Sequence, residues 1–78
     1  MNIEIYTTLS CPYCVQAKNL LTSKNLAYQE IRVDLDPAKR EEMLARSEGR
    51  RTVPEIFING KLIGGYTELF GMHQRGEI

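Results

Sequence analysis

The segment Ser10–Cys14 contains both cysteines of the chain, Cys11 and Cys14, with Pro12 and Tyr13 between them. It follows a short apolar strand and opens a predicted helix, with Pro12 suited to the first helical position. At such a position the backbone N–H groups are unpaired and the helix dipole favours a thiolate, the form of cysteine that attacks disulfides. Cys14 lies on the same helical face, one turn further in. The spacing therefore predicts a pair that interconverts between dithiol and disulfide.

Three other interpretations of the cysteine pair remain open on these residues alone. A structural disulfide would close so short a loop that it would add little stability through loop entropy. A structural zinc site usually needs four ligands, and His73 is the one histidine that could help. Two inert buried cysteines would require neither Pro12 between them nor a helix start. Redox chemistry accounts for more of these features than any of the three.

Length and charge restrict the class of protein. A chain of 78 residues predicts a single domain, residues 1–78. Its 10 basic residues balance 10 acidic ones, so no net charge favours nucleic acid or an anionic membrane as a partner. No apolar run is long enough for a signal peptide or a membrane span. We therefore expect a cytoplasmic protein, and in that reducing setting a Cys-x-x-Cys pair indicates catalysis.

The hydrophobic periodicity predicts the element order β-α-β-α-β-β-α. Ile3 and Ile5 are expected on one face of the first strand, with Glu4 and Tyr6 on the other. The predicted strands are residues 3–7, 28–33, 55–58 and 61–63, the last ended by Gly64-Gly65. Asn59-Gly60 predicts a type I′ turn between the last two strands. The predicted helices run from Pro12 to about Lys24 with Asn25 as C-cap, from Asp36-Pro37 to near Gly49, and from a Thr67 cap to Arg75 and Gly76.

This element order predicts an α/β fold. A β-α-β unit requires two parallel strands joined by a right-handed helical crossover. The hairpin must extend the same sheet antiparallel, because nothing else would bury its apolar face. We expect a four-stranded mixed sheet covered by three helices. The Cys-x-x-Cys pair then lies at the C-terminal end of the first strand, the edge at which open α/β sheets generally place their sites.

Two further motifs accompany the Cys-Pro-Tyr-Cys segment, Thr52-Val53-Pro54 before the hairpin and Gly64-Gly65 before the last helix. With these motifs in this order, essentially the whole chain resembles a dithiol (CPYC-type) glutaredoxin. The resemblance implies a thioredoxin-like fold and glutathione-dependent reduction of disulfides and glutathione mixed disulfides. It also implies a monomer without a bound cofactor or metal, which uses glutathione as reductant and co-substrate and has no nucleic-acid or membrane partner.

The resemblance also implies roles for individual residues. Cys11 is the nucleophile, expected to be exposed with a lowered pKa, and Cys14 is the shielded resolving thiol. The bond before Pro54 is cis, and the Val53 backbone pairs with the peptide in the groove. Gly65 and the helix start after it bind the γ-glutamyl carboxylate. The residues implied to bind glutathione are Tyr13, Thr52, Val53, Pro54, Gly65, Tyr66 and Thr67.

Two regions depart from the family pattern. Thr8 stands where many glutaredoxins have a lysine that holds the glycine carboxylate of the substrate. Tyr66 and Thr67 stand where a cysteine, followed by an acidic residue or serine, is frequent. Arg50 and Arg51 could supply the missing positive charge or could be surface arginines, and both interpretations remain open.

Partners and alternative functions follow from the same resemblance. The expected partners are glutathione and disulfide-containing or glutathionylated proteins, with ribonucleotide reductase a candidate. One alternative is a ribonucleotide-reductase-associated redoxin that thioredoxin reductase reduces. The other is an iron–sulfur carrier, in which one cysteine per chain and bound glutathione hold a cluster between two chains. His73 is expected to be a surface or half-buried residue without a catalytic role.

Overall fold

The computed structural model describes all residues, Met1–Ile78, and contains four strands and three helices in the predicted order. The elements are β1 Ile3–Thr7, α1 Pro12–Ser23, β2 Gln29–Arg32, α2 Pro37–Arg46, β3 Glu55–Ile58, β4 Lys61–Gly64 and α3 Tyr66–Gln74. The strand order in the sheet is β2-β1-β3-β4. β1 is parallel to β2 and antiparallel to β3, which is antiparallel to β4. The predicted mixed sheet is therefore confirmed. None of the helices is long and apolar enough to cross a membrane.

Each face of the sheet carries its own apolar cluster, because alternate strand residues point to opposite faces. The cluster beneath α1 and α3 contains Ile3, Ile5, Ala17, Leu21, Ile56 and Leu69. The cluster beneath α2 contains Tyr6, Ile31, Val33, Met43 and Phe57. Helices α1 and α3 thus share one face of the sheet, and α2 covers the other. This arrangement brings the start of α3 beside the start of α1, where the cysteines lie.

The ends of α1 and α2 follow their local sequence signals. The Asp36 carboxylate accepts the N–H of Ala38 at 3.0 Å, and Pro37 is the first helical residue of α2. The C-cap of α1 is Lys24 rather than the predicted Asn25, which follows it with the predicted left-handed conformation at a φ of +57°. Gly49 after α2 has a φ of +90°. Left-handed residues of this kind commonly follow helix ends, because the helix cannot continue through them. Helix α2 itself ends earlier than predicted, at Arg46.

The start of α3 differs from the prediction. Helix α3 begins at Tyr66 with Gly65 as its N-cap, so the prediction that Thr67 caps it is wrong. The carboxylate of Glu68 accepts the N–H of Gly65 at 2.6 Å. A glutamate at the third helical position reaches back to the N-cap amide in this way, so the helix can start without a capping hydroxyl.

The hairpin of β3 and β4 forms as predicted, with one shift at its end. Asn59 and Gly60 have φ values of +52° and +82°, the positive values that a type I′ turn requires. Strand β4 continues through Gly64, one residue further than predicted, and Gly64 pairs with Ile56. An irregularity in the β3–β4 register beside Ile56 lets this glycine remain in the sheet.

Candidate active site

The two cysteines lie at the start of α1 and differ in exposure. Cys11 is the N-cap residue, and its sulfur accepts the N–H of Cys14 at 3.1 Å. The two sulfurs form a disulfide in this structure. Cys11 is partly exposed, whereas Cys14 is fully buried. An incoming disulfide can therefore reach the sulfur of Cys11 but not that of Cys14.

The loop before β3 faces the cysteines from the opposite side. The Cys11 sulfur lies 3.6 Å from the carbonyl oxygen of Val53. The Val53–Pro54 bond is cis, which confirms the conformation that the resemblance implied. The N–H of Val53 donates to no backbone group of the chain. The loop thus presents a free amide next to the reactive sulfur.

An open groove of about 140 Å³ lies beside the cysteine pair. Its lining residues are Tyr13, Thr52, Val53, Pro54, Gly65, Tyr66, Thr67 and Glu68. All seven residues that the resemblance assigns to glutathione are among them, although they come from three separate parts of the chain. The fold therefore assembles the predicted residues into one surface beside Cys11.

Gly64 and Gly65 allow the start of α3 to approach the loop closely. A Cβ atom at Gly65 would lie 3.2 Å from the carbonyl oxygen of Pro54, tighter than ordinary contact. Gly64 has a φ of +120°, and a Cβ atom there would overlap the side chain of Glu68. A larger residue at Gly65 would press against the facing loop, and one at Gly64 would displace the Glu68 side chain that caps α3.

Glu68 is a groove residue that the sequence reasoning missed. Its carboxylate occupies the N–H of Gly65 and places a negative charge on the groove wall. The amides of Tyr66 and Thr67, in the first turn of α3, have no intrahelical acceptor and remain available to an anion. The signal that could have found Glu68 is its spacing of three residues from Gly65, typical of a residue that caps a helix start.

The two candidate arginines and Thr8, the position of the missing lysine, do not line the groove. Neither Thr8, Arg50 nor Arg51 is among the lining residues. Both arginines are exposed, and the guanidinium of Arg50 lies 3.9 Å from the carboxylate of Glu55. His73 also lies outside the lining set and is half-buried, in agreement with the expectation for it.

Glu55 is a second residue that the sequence reasoning missed. It is completely buried directly after Pro54, and neither carboxylate oxygen has a hydrogen-bond partner. Burial raises the pKa of this carboxyl, and the guanidinium of Arg50 opposes the rise. The Ser47 hydroxyl donates to the carbonyl of Arg50 at 3.2 Å, so it does not satisfy the carboxylate. No sequence signal separates this glutamate from an exposed residue at a strand start.

The fold and the site together define a class of protein. A mixed four-stranded sheet, with a Cys-x-x-Cys pair at the start of α1 facing a cis-proline loop, defines a thiol–disulfide oxidoreductase of thioredoxin-like fold. A family model described as Glutaredoxin matches residues 3–63. The chain belongs to the glutaredoxin family.

Individual proteins agree with this assignment. The chain is 53% identical over 75 residues to Glutaredoxin 3 of Escherichia coli (strain K12), covering 96% of this chain and 89% of that protein. It resembles the solution structure of a glutaredoxin from Brucella melitensis with a TM-score of 0.82 and 40% identity, covering 99% and 83% of the two chains. It also resembles a buckwheat glutaredoxin–glutathione complex with a TM-score of 0.84 and 32% identity, covering 96% and 70%.

These comparisons confirm the predicted thioredoxin-like fold and the predicted function, a glutathione-dependent thiol–disulfide oxidoreductase. They do not favour the thioredoxin-reductase-dependent redoxin or the iron–sulfur carrier over it.

Proposed function

We propose that the groove binds the glutathione part of a mixed disulfide and that Cys11 attacks its sulfur. The observation that carries the proposal is the position of the Cys11 sulfur. It accepts the Cys14 N–H at 3.1 Å and lies 3.6 Å from the Val53 carbonyl, at a groove lined by all seven implied residues. A backbone N–H aimed at the sulfur favours the thiolate once the disulfide is reduced.

The reaction begins with the reduced enzyme. The Cys11 thiolate attacks the glutathione sulfur, the substrate S–S bond breaks, and the protein thiol leaves with the electron pair. A second glutathione then attacks the Cys11–glutathione disulfide, which releases oxidised glutathione and regenerates the Cys11 thiolate. With a protein disulfide, the thiolate of Cys14 attacks the mixed disulfide instead and forms the Cys11–Cys14 bond. Two glutathione molecules then reduce that bond and become oxidised glutathione.

Two backbone features support the placement of glutathione. The free N–H of Val53 can pair with an extended peptide, as in strand addition to an open edge. The first-turn amides at Tyr66 and Thr67 suit the γ-glutamyl carboxylate, since a helix N-terminus attracts anions. Tyr13, which is 61% exposed, covers the side of the groove nearest the cysteines.

The proposal includes a physiological setting. The chain acts as a single-domain monomer, residues 1–78, without a bound cofactor, in the reducing cytoplasm, where the dithiol is maintained. Its substrates are disulfide-containing and glutathionylated proteins, with ribonucleotide reductase a candidate.

A coupled assay that offers glutathione with glutathione reductase, or thioredoxin reductase alone, tests the reductant. Turnover with thioredoxin reductase only would contradict the proposal, and visible absorbance of the purified protein would favour a cluster carrier.

Single cysteine variants test the assigned roles. Cys11→Ser should abolish all thiol transfer, because the one remaining thiol, that of Cys14, is buried. Cys14→Ser should retain reduction of small glutathione mixed disulfides, because glutathione replaces the resolving thiol, and should lose reduction of protein disulfides. Steady-state rates with both kinds of substrate provide the measurement. Equal loss of small-substrate activity in the two variants would contradict the division of roles.

A further inference from the structure

Four aromatic rings form a continuous row that starts at the groove and follows α3. Tyr66, Phe70 and His73 are four and three residues apart, so they lie on one face of the helix. Their successive ring centroids are 5.8 Å apart. Tyr13 of α1 stacks on Tyr66 with centroids 6.1 Å apart and planes 28° from parallel. These four rings are the aromatic row.

Two rings of the aromatic row are exposed beyond what the core requires, while Tyr66 packs against the cluster beneath α1 and α3. Tyr13 is 61% exposed and Phe70 is 38% exposed. Phe70 belongs to neither apolar cluster, whereas its neighbour Leu69 is completely buried and anchors α3 to the sheet. Aromatic side chains that remain exposed side by side are enriched where proteins bind partners.

Both helices fix the row in place. At its far end, the ammonium group of Lys24, at the end of α1, lies 3.1 Å from Nδ1 of His73. The ammonium can only donate, so Nδ1 of His73 accepts and its ring is held next to Phe70. At the end beside the groove, the ring of Tyr13 stacks on that of Tyr66. Rings that are already positioned lose little conformational freedom when a partner binds.

We propose that the aromatic row docks the polypeptide of a protein substrate on one side of its reacting cysteine. The row is continuous with the groove, because Tyr13 and Tyr66 belong to both. From Tyr66 to His73 the row extends about 10 Å along α3. An extended chain rises about 3.3 Å per residue, so about three substrate residues can lie on it. Because the reacting disulfide must lie in the groove, this docking rests on the proposed function.

The chemistry of the rings selects the partner. The surface between Tyr13 and His73 offers ring faces, with the ammonium group of Lys24 at its far end and the carboxylate of Glu68 on the groove wall at its near end. The favoured segment is therefore an extended stretch with apolar or aromatic side chains next to the disulfide. A small glutathione mixed disulfide has no such segment and does not extend past the groove.

Phe70→Ser tests the docking, and Phe70→Tyr is its matched control. Two peptide substrates carry the same glutathionylated cysteine, flanked by three apolar residues or by three serines. Phe70→Ser should raise KM for the apolar peptide about fivefold, the effect of losing a few tens of Å² of apolar contact. It should leave kinetics with the serine peptide and with glutathione–cysteine mixed disulfide within about twofold of the wild type. Phe70→Tyr, which keeps the ring, should behave like the wild type.

Three results would overturn the docking proposal. An unchanged KM for the apolar peptide with Phe70→Ser would show that the row takes no substrate chain. An equal rise with Leu35→Ser, which removes a 72% exposed apolar side chain from the loop between β2 and α2, would indicate general surface hydrophobicity. A wild-type dimer in sedimentation that Phe70→Ser dissociates, without a change in KM, would assign the row to a second copy of the chain. A wild-type enzyme that fails on glutathione–cysteine mixed disulfide would instead refute the proposed function.

Discussion

The buried carboxyl of Glu55 should destabilise the fold near neutral pH, and Glu55→Gln tests this expectation. The side chain is completely buried, and neither oxygen accepts a hydrogen bond. Its nearest cation, Arg50, is 3.9 Å away and 46% exposed, so water screens much of the attraction. An ionised carboxylate at this position loses its hydration and gains little in return.

The pH dependence follows from the direction of the pKa shift. Burial raises the pKa of Glu55 above its ordinary value of 4.5, which the unfolded chain retains. Between the two pKa values the folded state binds more protons than the unfolded state. The free energy of unfolding therefore falls as pH rises through this window. Below pH 4.5 the carboxyl is neutral in both states and the penalty disappears.

The size of the effect follows from the cost of desolvating the charge, because a neutral glutamine amide would be unpaired at the same position; that extra cost is about 1–3 kcal/mol. Glutamine has the same shape and cannot ionise. Glu55→Gln should therefore be more stable than the wild type by about 1–3 kcal/mol at pH 8, with the difference vanishing near pH 4. For a domain of this size, each 1 kcal/mol corresponds to about 4–8 °C in Tm.

Urea unfolding followed by circular dichroism, with the cysteines kept oxidised, measures the difference across this pH range. Glu41→Gln, an exposed position on α2, is the matched control and should change stability by less than about 0.5 kcal/mol at every pH. A Glu55→Gln variant that is less stable than the wild type at pH 8 would refute the reasoning. It would mean that attraction to Arg50 outweighs the cost of burial.

Three further substitutions, with Arg51→Ala as a comparison for the first, test other parts of the structure. Thr8→Lys should lower KM for a glutathionylated substrate by up to about tenfold, more at low salt, by adding a cation for the glycine carboxylate. A raised KM with Arg51→Ala, and no effect of Thr8→Lys, would assign that role to Arg51. Arg46→Lys should lower the free energy of unfolding in urea by about 1–3 kcal/mol, because lysine cannot reproduce the two bonds of 3.0 and 3.1 Å to Glu4. Unchanged stability of Arg46→Lys would show that the paired hydrogen bonds from the Arg46 guanidinium to Glu4 contribute little. Gly65→Ala should raise KM for glutathionylated substrates, since its Cβ would lie 3.2 Å from a carbonyl of the facing loop. A KM equal to the wild-type value would show that the groove tolerates the added atom.

The sequence by itself determined the elements whose signals are local. Alternation in β1, the Asp36-Pro37 helix start and the Asn59-Gly60 turn each depend on residues a few positions apart, and each forms as predicted. The position of Cys11 at a helix start follows from the same kind of signal. Such features require only that neighbouring residues favour one backbone conformation, so they can be predicted without knowing what packs against them.

Tertiary structure alone decided how distant segments meet. The start of α3 meets the loop before β3 so closely that a Cβ atom at Gly65 would lie 3.2 Å from the carbonyl oxygen of Pro54. The burial of Glu55 and the stacking of Tyr13 on Tyr66 likewise have no local signature. Burial and stacking depend on which elements share a face of the sheet, and that is settled only when α1 and α3 cover one face and α2 the other.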